Sequence, residues 1–133
     1  MTPEVYWLML TLLLTGLMAF PYVVDRMRVR GLWNAMTGPV HDPARPQSPW
    51  ALRAMAAHKN AIENLVVFAP AVLALTSLQI STPTTRVAAL AYFWARAVHY
   101  LVYTAGIPVA RTLAFLVGAV ATLVIIVSVF GWL

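Results

Sequence analysis

The segment Arg53–Leu75, R-A-M-A-A-H-K-N-A-I-E-N-L-V-V-F-A-P-A-V-L-A-L, decides how this chain is read. Its second half, Leu65 to Leu75, is uniformly apolar, while its first half carries Arg53, His58, Lys59, Asn60 and Glu63. A helix starting near Trp50 and ending near Leu78 accommodates both halves and is long enough to cross a bilayer. Charged side chains at membrane depth cost about 2.5–3.5 kcal/mol each on insertion scales, so they persist where they are paired or used. A second run with the same character, Arg96 to Arg111, lies one helix further on.

Composition agrees with a membrane setting. Of 133 residues, 62% are hydrophobic and 10% charged, against about a quarter charged in soluble proteins. So small a globule cannot hide that apolar surface, and one domain, residues 1–133, is expected. The net charge of +5 comes from few charges and gives no sign of nucleic-acid binding. With no cysteine in the chain, disulfides, thiolate metal sites and a cysteine nucleophile are excluded. Any thiol chemistry must use a thiol from the substrate.

Four apolar segments predict an all-α membrane protein, a four-transmembrane-helix up-down bundle. The helices are expected at about 5–30, 50–78, 83–104 and 109–132. The first is read as a retained span, because Glu4 stands where a signal peptide would be basic; Pro21 is expected to kink it. Pro39, Pro43, Pro46 and Pro49 keep the following loop irregular, and Pro70 is a second candidate bend. Thr82 and Pro83 form a helix start, and Ala105-Gly106-Ile107-Pro108 forms a turn. Short connections make the last three helices antiparallel neighbours. Arg26, Arg28, Arg30, Arg45, Arg53 and Arg111 flank the first and third loops, whereas the opposite side offers Arg86. The positive-inside rule then puts these loops in the cytoplasm and both termini on the other side.

Arg53, Asn60 and Glu63 recur at seven and three, on one face of the second helix. A snorkelling helix end accounts for Arg53 but not for Glu63, two to three turns inside. Arg96, His99 and Tyr103 recur at three and four on the third helix. Glu63 is the expected anion for Arg96, making Arg53, His58 and Arg96 a structural polar network around the site. Tyr22 and Tyr100 read as interfacial aromatics. Arg111 and Thr112 open the fourth helix, where the dipole adds to a guanidinium in stabilising an anion. His58 and Glu63 are five apart, unlike two ligands aimed at one metal, so no metal site is expected.

H-K-N-A-I-E (His58–Glu63) resembles the H-x-N-x-x-E signature of the MAPEG superfamily, the membrane-associated proteins of eicosanoid and glutathione metabolism. A-R-A-V-H-Y-L-V-Y (Ala95–Tyr103) is similar to that family's A-R-x-x-H-x-x-x-Y pattern, and Arg111-Thr112 to its Arg followed by a hydroxyl residue. Short bacterial members are the most similar in kind, and Ala56 departs from relatives that carry Arg there. The resemblance implies a homotrimer with glutathione between adjacent subunits. It assigns glutathione binding to Lys59, Asn60, Glu63, His99, Tyr103 and Arg111, with Arg26 favoured over Arg28 and Arg30 from the first helix. It also implies a glutathione-dependent transferase or peroxidase acting on a lipophilic electrophile or hydroperoxide, with membrane lipid around it.

A thiol with pKa near 8.5 is about 3% thiolate at pH 7. A contacting cation lowers such a pKa by about 1–3 pH units, and the role expected of Arg111, aided by Thr112, is to supply that cation. A second reading is a non-catalytic protein that binds lipid or presents a partner on the same scaffold. A transporter fits less well, because the polar residues gather at one side.

Overall fold

The computed structural model describes residues 1–133 and is entirely helical among its regular elements. Six helices follow in order: α1 (Pro3–Leu17), α2 (Ala19–Arg30), α3 (Leu32–Thr37), α4 (Pro49–Ser77), α5 (Pro83–Ala105) and α6 (Pro108–Val129). Three helical runs are long and apolar enough to cross a membrane: Pro3–Arg30, Pro49–Ser77 and Pro108–Val129. The chain is an integral membrane protein. The less apolar α5 has 23 residues, about 34 Å at 1.5 Å per residue, and packs most extensively against α6.

The first run is not one helix. It breaks at Met18, between α1 and α2. Pro21 is the cause: it has no N–H for the Leu17 carbonyl, and its ring crowds that carbonyl. The disturbance therefore appears one turn before the proline. Tyr100 Oη donates to the Met18 carbonyl at 3.0 Å, clasping the break against α5. Pro70, by contrast, lies within an uninterrupted α4. The loop after α2 holds the short α3 before its first proline, Pro39.

Helix ends follow local chemistry. Thr82 and Thr85 form a reciprocal capping box at the start of α5, with Pro83 in its first turn. At the other end Gly106 adopts the left-handed conformation (φ +79°) that a side chain would disfavour. The Ile107 N–H then reaches back to the Val102 carbonyl at 2.9 Å and closes the turn into α6.

Small residues define the inward faces. On α6 these are Ala114, Gly118, Ala121 and Ser128, with Ile125 among them; on α4 they are Ala51, Ala54, Ala57 and Ala61, continued by the larger Phe68, Val72 and Leu75. Leu113, Leu116, Val117, Val120 and Leu123 of α6 are exposed on the outer face. The arrangement follows from the solvent: lipid tails are as apolar as leucine, so close backbone approach drives association. The central cluster comprises Leu8, Phe68, Val72, Leu75, Ala88, Ala89, Tyr92, Ala121 and Ile125.

Glu4 is fully buried, and its carboxylate accepts hydrogen bonds from Thr85 Oγ1 (2.6 Å) and Ser81 Oγ (3.0 and 3.2 Å). This ties the start of α1 to the α4–α5 turn. Glu4→Leu is expected to lower stability by about 1–3 kcal/mol through the orphaned hydroxyls, and Glu4→Gln by less. Thermal unfolding in detergent measures both; equal stability of Glu4→Leu and wild type contradicts the tie.

Candidate functional site

Two cavities with polar linings flank α4. The first, about 170 Å³, is lined by Asn60, His99, Tyr103, Arg111, Thr112 and Phe115. The second, about 570 Å³, is lined by Tyr22, Met55, Ala56, His58, Lys59, Ile62 and Glu63.

In the smaller cavity, α5 supplies His99 and Tyr103, whose rings meet edge to face at 5.5 Å. The αL turn at Gly106 brings the first turn of α6 back over them. Arg111 then lies with its guanidinium carbon 4.6 Å from the centre of the Tyr103 ring, a cation–π contact that fixes the charge at the cavity. Thr112 Oγ1 donates to the Pro108 carbonyl at 3.1 Å, so its lone pairs rather than its proton face outward. Donation from Thr112 to a thiolate therefore requires that this bond be given up.

Asn60 enters from α4. Its Oδ1 accepts from Arg96 Nη1 at 3.4 Å and from Asn64 Nδ2 at 3.3 Å. Arg96 is 1% exposed beneath this point, and its Nη2 donates to the Phe115 carbonyl at 3.3 Å. No carboxylate lines the cavity. It is a small, positively charged recess rich in donors.

The expected Arg96–Glu63 ion pair does not form within the chain. Glu63 lies 4.0 Å from Lys59, with their side chains 60% and 79% exposed. Three residues turn a helix by about 300°, so Glu63 is about 60° away from Asn60. That angle suffices to carry it out of the Asn60 cavity and onto the second one. Arg53 diverges as well: its Nε donates to the Thr104 carbonyl at 2.9 Å, holding the end of α5. His58 pairs with Tyr22, Oη to Nδ1 at 2.7 Å, so Tyr22 is a cavity residue rather than a free interfacial aromatic.

Arg26 is outside both linings, with its Nε donating to Gln47 Oε1 at 3.2 Å. Arg30 is a loop staple: it is buried and donates to the carbonyls of Pro39, Val40 and Arg45 at 2.7–3.3 Å. Asp25 accepts from the Ser48 N–H (3.0 Å) and Oγ (2.6 Å), pinning the start of α4 to α2. Gln47 donates to the Tyr22 carbonyl at 2.7 Å. The sequence marks Tyr22 only as an interfacial aromatic and gives no role to Asp25 or Gln47. Asp25 carried a usable signal as one of four acidic residues in the chain; the other two pair only through tertiary contact.

A third, apolar groove of about 750 Å³ runs between α5 and α6, lined by residues from Pro83 to Ala91 and from Leu113 to Val124. A smaller recess of Pro108, Val109, Thr112 and Leu113 shares Thr112 with the donor cavity and Leu113 with this groove. Polar and apolar spaces thus adjoin along one side of α6.

The family model for MAPEG matches residues 5–131, nearly the whole chain. The chain belongs to the MAPEG family. This family includes glutathione-dependent transferases and peroxidases. No curated protein and no solved structure matches the sequence. For a MAPEG protein the fit of glutathione can be judged on the lining alone. Glutathione offers two carboxylates and an ionisable thiol, all of which suit Arg111, Tyr103 and Asn60 as donors. About 170 Å³ is below the ~300–1,000 Å³ of sites that enclose a whole small ligand, so this cavity alone does not enclose the tripeptide.

Proposed function

We propose that this MAPEG chain binds glutathione, holds its thiol as a thiolate and directs it at a lipophilic electrophile or hydroperoxide. The observation that supports this reading most strongly is the convergence of Asn60, His99, Tyr103 and Arg111 on one carboxylate-free cavity beside an apolar groove. Arg111 has the leading role. Its guanidinium and the α6 N-terminus both stabilise negative charge, and that stabilisation is worth most where water is excluded. In transfer, the sulfur forms a bond to the electrophilic carbon and the leaving group departs with the bonding pair. In peroxide reduction, thiolate attacks the distal oxygen and the alkoxide takes a proton to give the alcohol. A second glutathione converts the resulting sulfenic acid to disulfide and water. The lipophilic part of the substrate would occupy the α5–α6 groove.

The rest of the tripeptide needs another surface. Lys59 and Glu63 are exposed on the second cavity, and Glu63 suits the glutathione ammonium. Arg26, anchored through Nε by Gln47, keeps other donors for a carboxylate. A homotrimer in which this surface of one copy meets the donor cavity of the next would unite the set. In that assembly α5 is the fourth membrane crossing, and the cavities lie on the cytoplasmic side.

The test is turnover in nanodiscs with glutathione and a hydrophobic aryl halide or a lipid hydroperoxide. The expected result is product formation that saturates in glutathione. Absence of both activities, with thermal stabilisation by lipid and none by millimolar glutathione, would instead favour a non-catalytic lipid-binding protein.

A further inference from the structure

Arg96 is a buried cation without an anion. The four acidic side chains are engaged elsewhere: Glu4 with Ser81 and Thr85, Asp25 with Ser48, Asp42 with Arg45 and Glu63 with Lys59. Arg96 Nε has no partner. Its guanidinium carbon lies 5.4 Å from the Tyr92 ring centre and 5.7 Å from that of Phe115. The seat exists because α6 presents Gly118 there. A Cβ on Gly118 would lie 2.9 Å from Arg96 Cζ and Nε, closer than packed atoms tolerate. Chain geometry thus holds this guanidinium against α6 and under Asn60.

The consequence falls on the Asn60 amide. Its two ends have opposite hydrogen-bonding character, and either can face a ligand unless something selects one. Arginine donates only, so Arg96 Nη1 requires Oδ1 to face it. Asn64 Nδ2 donates to the same oxygen and to the Asn60 carbonyl, at 3.3 and 2.8 Å. Asn60 Nδ2 is left without an acceptor inside the chain, on a residue that lines the donor cavity. We propose that Arg96, seated on Gly118, is a positioning residue that fixes the Asn60 amide with its N–H end toward the ligand, making the cavity selective for an anion. A reversed amide would oppose oxygen lone pairs to a carboxylate or thiolate. The proposal rests on the anionic-thiol reading above and adds the residue that sets its polarity.

The experiment pairs binding with stability in nanodiscs. Calorimetry with glutathione is run on wild type, Arg96→Met, Asn60→Asp and the double variant, beside thermal unfolding of each without thiol. Arg96→Met is expected to weaken glutathione at least tenfold. Asn60→Asp is expected to raise Tm, since Arg96 gains a carboxylate, yet to lose glutathione binding at least tenfold because an anionic oxygen now faces the ligand. In the Arg96→Met background the same Asn60→Asp change is expected to lower Tm. A purely structural Arg96 does not produce opposite signs for stability and binding. If Arg96→Met does not assemble, Arg96→Gln, whose amide can offer Asn60 either a donor or an acceptor and so selects neither end, replaces it and should show the same tenfold loss. Wild-type affinity in the Arg96 variant, or Tm changes that do not depend on Arg96, overturns the proposal. Absence of glutathione binding by wild type overturns the functional reading and the selectivity with it, while the thiol-free Tm cycle still decides the Arg96–Asn60 contact.

Discussion

Arg111→Ala is expected to reduce kcat/KM for glutathione-dependent turnover by about 10²–10³-fold at pH 7, the usual cost of removing a donor from a developing or resident anion. Arg111 is held in the first turn of α6, over the Tyr103 ring and on the donor cavity. Its loss removes the one fully charged group in that lining, leaving the weaker helix N-terminus and neutral donors. The pH dependence gives the sharper form of the prediction. With Arg111 present, the bound thiol is expected to ionise well below pH 8.5, giving a wild-type rate at saturating glutathione that is nearly flat from pH 7 upward. Without it, the thiol returns toward its ordinary value near 8.5. The variant's rate then climbs across that pH, and the deficit narrows in alkali. Steady-state kinetics in nanodiscs at pH 7 and pH 9 make the comparison. A deficit of equal size at both values contradicts thiolate stabilisation by Arg111.

Phe68→Ala is the second change with a large expected effect, here on stability. Phe68 has no exposed surface and stacks on Tyr92 with ring centres 3.6 Å apart and planes 4° from parallel. Among the buried side chains of α4 it is the first large one after the alanine stripe. Truncation leaves a cavity beside the buried Tyr92, and large-to-small aromatic changes in cores cost about 3–5 kcal/mol. Reversible unfolding in mixed micelles reads the loss. A change under about 1 kcal/mol would mean that α4 and α5 do not meet through this stack.

The parts of the fold that could be read from the chain are those written in local chemistry. Thr82-Pro83 marks a helix start because cap and proline act within one turn, and Gly106-Ile107-Pro108 marks an end for the same reason. Arg111 beside Tyr103 was also within reach, since a four-residue turn leaves few ways to place the start of α6. What failed was finer. Hydropathy says little about which face of a membrane helix points inward, because leucine faces lipid as readily as protein. The inward faces are marked by alanine and glycine, and that stripe on α4 is what rotates Glu63 outward. Arg53 and Asn60 are about 20° apart around α4 but about two turns apart along it, so Arg53 serves the end of α5 instead. The break at Met18 lies upstream of Pro21 because proline acts on the carbonyl four residues back. Tyr22–His58 and Arg30 with its three carbonyls join segments distant in sequence, and no spacing rule announces such pairs.

The proposed function requires the cavity to make a thiolate from a bound thiol. The direct measurement is the ultraviolet thiolate band on mixing purified protein with glutathione at pH 7, where the free thiol is about 3% ionised. Wild type is expected to give a band that saturates with glutathione, and Arg111→Ala under the same conditions is expected to give none. No band from wild type, or one of equal size from the variant, contradicts the account.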